Sequence, residues 1–440
     1  MQLGAENDTV SVHSNGLNVA NQNVRLSASG FATVDVTGGG GYDVVSLADS
    51  AGRDHLSGRD TANGYSATLT NGNYRSTVTG FDLAFVASSG GGDTADIVGT
   101  AADDVFLSRG FHNALRVSGT NLVFNHFAEV NVDGSGGNDL ANLNDSSGDE
   151  RYVLTPKSGT VYSEDSTVSV DGFYRVNAFA TQGNDTVELR DSANTSSNNN
   201  DVFDHRNGIN VLYGQGYQLY ARGFDSVEAV STGGSDIAQI FDTAGDDVFY
   251  SNGGDAELVS NTGSVAAKDF KIVNLVANRG GHDRAIVTGT NGADVLRAND
   301  DRVRIINSNG QINNIRGADH ITVDLGQGVD RAVLTGSQGR DTLSGSYDEI
   351  ELETTLRMLQ LINTENTTFD GNGGDDVVEL EDLDLLESLG DQARAFMNDR
   401  SITVEDFAIL EARSVDNAIA EYSLEAVDYL YALRGQWTNS

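Results

Sequence analysis

The chain contains no cysteine, so disulfides and thiolate metal sites are both closed to it. Basic residues are scarce: 27 Lys and Arg stand against 65 Asp and Glu, a formal charge of −38. Such a field repels nucleic acid and anionic membranes and attracts divalent cations and basic partners. No apolar run approaches membrane-spanning length, and the N-terminus lacks the basic and hydrophobic regions of a signal peptide. If the protein is exported, this sequence is a mature form or a fragment. Apolar content is low at 38%, with 51 glycines and a single proline, Pro156. Disorder is nevertheless not expected, because Val, Ile, Leu, Phe and Tyr recur in short, regular runs.

What the sequence does contain is a repeat. A glycine-flanked aspartate marks each unit at Asp43, Asp93, Asp139, Asp185, Asp236, Asp283, Asp330 and Asp376, at intervals of 50, 46, 46, 51, 47, 47 and 46 residues. A second anchor follows eleven residues later at Asp54, Asp104, Glu150, Asp247, Asp294 and Asp341. In the fourth unit it falls at Asp201, and the tract TSSNN reads as a loop insertion. Phe31, Phe81, Phe127, Phe173 and Phe224 lie twelve residues before their anchors. Asp8 aligns with the second anchor, so the chain starts inside a unit behind Met1 as an added initiator. That phase reads as a piece of a longer polypeptide. Residues 1–376 form the tandem array, and residues 377–440 a degenerate ninth unit. Asp406 to Leu433 echoes the repeat without its glycines, and DLDLLESLGDQARAFMND reads as helical, as an atypical cap on the last apolar face.

Each unit shows about four short runs of β-propensity, separated by Gly, Ser, Asn and Asp corners. The expectation is an all-β solenoid, a parallel β-helix with about two coils per 47-residue unit and a partly helical C-terminal cap. An eight-bladed β-propeller is the alternative. In the solenoid the phenylalanine series would stack as an aromatic ladder.

Stacking also brings carboxylates together. Two like charges 5 Å apart at an effective dielectric near 20 repel by about 3 kcal/mol. Calcium, a hard cation that takes oxygen ligands, would relieve this. The candidate calcium corners are Asp43, Asp93, Asp139, Asp185, Asp236, Asp283, Asp330, Asp375 and Asp376. The competing reading is that these side chains cap their own turns and face water. Catalytic signals are few: the histidines (His13, His55, His112, His126, His205, His282, His320) show no metal-ligand spacing, and neither G-x-S-x-G nor H-E-x-x-H is present. One idiosyncratic patch, Arg151, Tyr152, Lys157, Tyr162 and Tyr174, is the candidate for a polysaccharide lyase or hydrolase site.

GGGGYDVVS, Gly38 to Ser46, fits the nonapeptide G-G-x-G-x-D-x-U-x and so resembles, locally, the calcium-binding RTX β-roll. The repeat text as a whole, GGxDxAxLxDxAGDDxF followed by GFDxVxA, resembles the acidic tandem arrays of large bacterial surface-associated or secreted proteins. That resemblance implies a non-enzymatic extracellular scaffold, stalk or adhesin region, with self-assembly, the cell surface or a glycan as partner. The rival classes are a polysaccharide-active β-helix enzyme and a carbohydrate-binding adhesive module.

Overall fold

The computed structural model describes residues 1–193, 200–422 and 430–439; the TSSNN tract lies outside them. Among the described residues there is no helix, and the chain is a parallel β-solenoid of about 11 turns rather than a barrel. It divides into two compact units, Met1–Ala193 with Gly208–Thr232, and Asn194–Asn207 with Gly233–Ser440.

In the first unit the strands run β1 (Thr9–His13), β2 (Gly16–Ala20), β3 (Arg25–Ser29), β4 (Thr33–Thr37), β5 (Val44–Ala48), β6 (His55–Arg59), β7 (Ser66–Thr70) and β8 (Arg75–Thr79). They continue as β9 (Leu83–Ala87), β10 (Thr94–Val98), β11 (Val105–Arg109), β12 (His112–Val117), β13 (Thr120–Asn125), β14 (Glu129–Asp133) and β15 (Leu140–Asn144). Most are five residues long with the second and fourth side chains buried, as with Val45 and Leu47 in β5 or Ala95 and Ile97 in β10. Period-two alternation fits a strand with one wet face.

Register stacks these inward residues into columns. Val10 lies against Val45, Val45 against Ala84, and Ala84 against Leu122 across parallel pairs. The column passes through antiparallel pairs to Leu115 and Phe106 and returns to parallel pairing at Ala141, Val176 and Leu219. Every member is buried, and each large side chain so covered contributes about 1.5–3 kcal/mol.

The pairings form two ladders. One runs β1, β5, β9, β13, β12, β11, β15; the other runs β4, β8, β7, β6, β10, β14. They pack on each other: a methyl placed on Gly58 of β6 would lie 3.2 Å from Leu122 Cδ2 of β13. In the first unit each full repeat thus has five strands: one anchor strand, a three-stranded antiparallel meander on the opposite ladder, and a return strand. The meander β6–β7–β8 belongs to one ladder and β11–β12–β13 to the other. The chain crosses between ladders at β5–β6, β8–β9 and β9–β10, an odd number of times per repeat. Successive repeats therefore begin on opposite ladders, and the structural period is two sequence repeats.

Three expectations are corrected by this architecture. The unit is not two coils of about 23 residues, because paired strands such as Thr9 with Val44 and Val44 with Leu83 are 35 and 39 residues apart; the meander lengthens the turn. A propeller is set aside, because repeats join through parallel pairs. The aromatic ladder is also absent as drawn. Phe31 is exposed, and the buried Phe173 and Phe224 meet Phe106 and Tyr152 at 6.5 and 4.9 Å between ring centroids. Alternation between ladders separates successive members of the series.

The helical reading of the C-terminal segment is overturned as well. Residues 377–397 form the strands Val377–Leu389 and Gln392–Met397. Leu380, Leu383 and Leu386 are all buried at a spacing of three, which imitates a helical face. The cause is an irregularity in the strand: its register shifts between Leu380 and Leu383 and again before Leu385, with Asp382 at φ 59°, as a β-bulge requires. This long strand pairs with Thr342–Gly345 at its start and with Gln392–Met397 at its end.

Candidate functional site

Each anchor aspartate ends a Gly-rich corner and begins a strand, so its backbone and carboxylate both sit where one turn stacks on the next. The same bond recurs eight times: the second-anchor N–H donates to Oδ1 of the following first-anchor aspartate. The pairs are Asp8 to Asp43, Asp54 to Asp93, Asp104 to Asp139, Glu150 to Asp185, Asp201 to Asp236, Asp247 to Asp283, Asp294 to Asp330 and Asp341 to Asp376, at 2.6–3.0 Å. The first-anchor N–H is in turn taken by the acid that follows the position of the aromatic mark (Phe81, Phe224, Ala318 and Thr364), as in Asp43 to Asp82, Asp185 to Asp225, Asp283 to Asp319 and Asp330 to Glu365. Second-anchor carboxylates accept the N–H and hydroxyl of the residue four before them. Ser50 serves Asp54, Thr243 Asp247, Thr290 Asp294, and Ser337 Asp341.

The first-anchor residues Asp43, Asp93, Asp139, Asp185, Asp236, Asp283, Asp330 and Asp376 are all buried. They cap across turns, inside the protein, rather than facing water. Asp375 is exposed, and its neighbour Asp376 takes the corner. Burial pushes Asp139, Asp185, Asp283, Asp330 and Asp376 up to about 6, in each case against the backbone N–H that holds the charge. Burial raises Asp93 and Asp104 in the same direction. A buried carboxylate is costly because water no longer solvates it.

Sequence reasoning missed the third acid. Asp49, Asp145 and Asp242 lie five residues before a second anchor, where other repeats carry Gly99, Gly289 or Gly336. These acids complete the triads Asp49–Asp54–Asp93, Asp145–Glu150–Asp185 and Asp242–Asp247–Asp283, with one ligand atom from each residue within 4.8 Å of the others. Such buried clusters could hold a metal ion. The alternation of Asp with Gly at that position was the available signal; it was hidden because the repeats were aligned on the anchors alone.

The aromatic and basic patch is brought together only in part. Strand alternation turns Tyr152 fully inward, while its neighbour Arg151 faces out, pairs with Glu188 at 3.2 Å and lies over the Tyr162 ring. Lys157 sits on a hairpin corner at φ 67° and Tyr174 is exposed. No protein-family model and no curated protein matches this chain. Among the described residues no helix is long and apolar enough to cross a membrane.

Proposed function

We propose that this chain is a non-enzymatic structural segment, an extracellular scaffold, stalk or adhesin region of a bacterial surface-associated or secreted protein, stiffened by calcium. The observation that carries the reading is the eightfold aspartate corner. The most repeated polar feature of the molecule is spent on holding each turn to the next, and its geometry hardly varies along the array. A solenoid stabilised through neighbouring interfaces suits an extended structural role. The high acid content favours divalent cations as its counter-charge, and calcium accepts carboxylate and carbonyl oxygens in flexible numbers.

Thermal melting in millimolar calcium and then in excess chelator tests the cation part. The expected outcome is a higher melting temperature in calcium, by mass action on the folded state; identical curves remove calcium from the reading. Uronic-acid and sulfated glycans incubated with the protein are expected to remain intact. Cleavage of any of them would replace the scaffold with a polysaccharide-active enzyme.

A further inference from the structure

The Asp145–Glu150–Asp185 triad holds three buried acids with no basic side chain paired to them among the described residues. In the second unit, Arg279 brings its Nε to 3.9 Å from Asp242 Oδ1 and its backbone N–H to Asp242 Oδ2 at 2.7 Å. That guanidinium supplies a counter-charge to the Asp242 triad. At Asp49–Asp54–Asp93 the Tyr74 hydroxyl donates to Asp54 Oδ1 at 2.8 Å. Around Asp145, Glu150 and Asp185 no Lys or Arg forms an ion pair among the described residues, although the three are 7%, 3% and 1% exposed.

Two further observations point to a missing ligand. Glu150 Oε2 is buried without a hydrogen-bond partner, its other oxygen being taken by Ser146 Oγ. The Tyr152 hydroxyl is likewise buried and unpartnered, and it lies in the field of all three carboxylates. Two orphaned polar atoms beside three buried acids are a costly arrangement unless a cation draws them together. Thr181 N–H and Gln182 N–H hold Asp145, and Glu150 N–H holds Asp185 Oδ1, so the ligands are fixed in advance.

We infer that Asp145, Glu150 and Asp185 form a divalent-cation site, with the Tyr152 hydroxyl beside it. Three carboxylates are the hard oxygen ligands that calcium takes, and one ligand atom from each lies within 4.8 Å of the others. Glu150 lines a cleft with Asp149, Glu164 and Asp165, acids that would concentrate cations at its mouth.

The inference rests on the cation reading above, and the test separates the two. Terbium, a calcium-sized ion, is titrated into the whole chain with excitation of tyrosine. Calcium-displaceable emission is expected. Glu150→Gln and, independently, Asp145→Asn are each expected to lower the terbium stoichiometry by one, with strand content checked by circular dichroism. Asp145→Asn keeps an amide oxygen for Thr181 N–H and serves if the other variant does not fold. Tyr152→Phe is expected to keep the stoichiometry and lose part of the sensitised emission. Unchanged stoichiometry in both acid variants, or no calcium-displaceable terbium, overturns the site. If the acid variants lose one terbium while chelator leaves the wild-type melting curve unmoved, the site stands and only the stabilising role of calcium falls.

Discussion

Asp139 shows what one anchor residue does. Its Oδ1 accepts the Asp104 N–H at 2.7 Å, its Oδ2 has no partner, and its carboxyl is pushed up to about 6 by burial. Replacing it with alanine removes the acceptor and strands a buried N–H, a loss of about 1–3 kcal/mol. Asparagine keeps an acceptor oxygen and removes the buried charge. The expected order in urea denaturation at neutral pH is therefore wild type and Asp139→Asn close together, with Asp139→Ala well below both. Equal loss in the two variants would mean that the acceptor oxygen contributes little. At this scale the sequence was informative about position and misleading about environment. Gly-flanked aspartates read as calcium corners or as turn caps facing water, and only the stacking of a partner 35 residues away, invisible in a linear reading, buries them.

At the scale of the element, strand positions were legible wherever alternation was clean, as at Val44–Ala48 or Ile237–Phe241. The polar third strand of the β6–β7–β8 meander was not. Arg75–Thr79, with the sequence RSTVT, buries only Ser76 and Val78, and such a strand has little apolar signal to read. The segment from Leu380 to Leu386 failed for the opposite reason: a bulge at Asp382 changed the spacing of a well-marked apolar pattern from two to three. A deletion experiment tests the element count. Removing Thr94–Asp139, one whole repeat, takes out five strands and leaves every junction of the same kind. This variant is expected to fold cooperatively with a smaller urea m-value, since m follows the surface exposed. Removing one half-turn, residues 94–104, leaves the following strand on the wrong ladder and is expected to abolish cooperative unfolding. Similar stability in the two deletions would contradict the two-ladder scheme.

For the whole molecule, the buried carboxyls give a pH dependence opposite to that of an ordinary acid-labile protein. Asp139, Asp185, Asp283, Asp330 and Asp376 have native values of about 6 against an ordinary 3.8. Above pH 6 the native state carries the full cost of these buried charges. As pH falls through 6 the native state takes up protons before the unfolded chain does, so stability rises, and it levels off below about 4. Lower mutual repulsion in a chain of net charge −38 acts in the same direction. In chelator, the melting temperature is expected to climb between pH 8 and pH 5; a flat or falling profile would show that these groups are solvated in the native state. Calcium competes with those protons for the same oxygens, so its stabilising effect is expected to shrink over the same interval.

The odd number of crossings per repeat has an evolutionary side. Gain or loss of a single repeat leaves the fold intact yet exchanges the wall from which every later meander projects. A lineage that adds repeats in pairs keeps its surface pattern in phase, while one that adds a single copy inverts it. Copy number in such an array is therefore a switch of surface display as well as a measure of length.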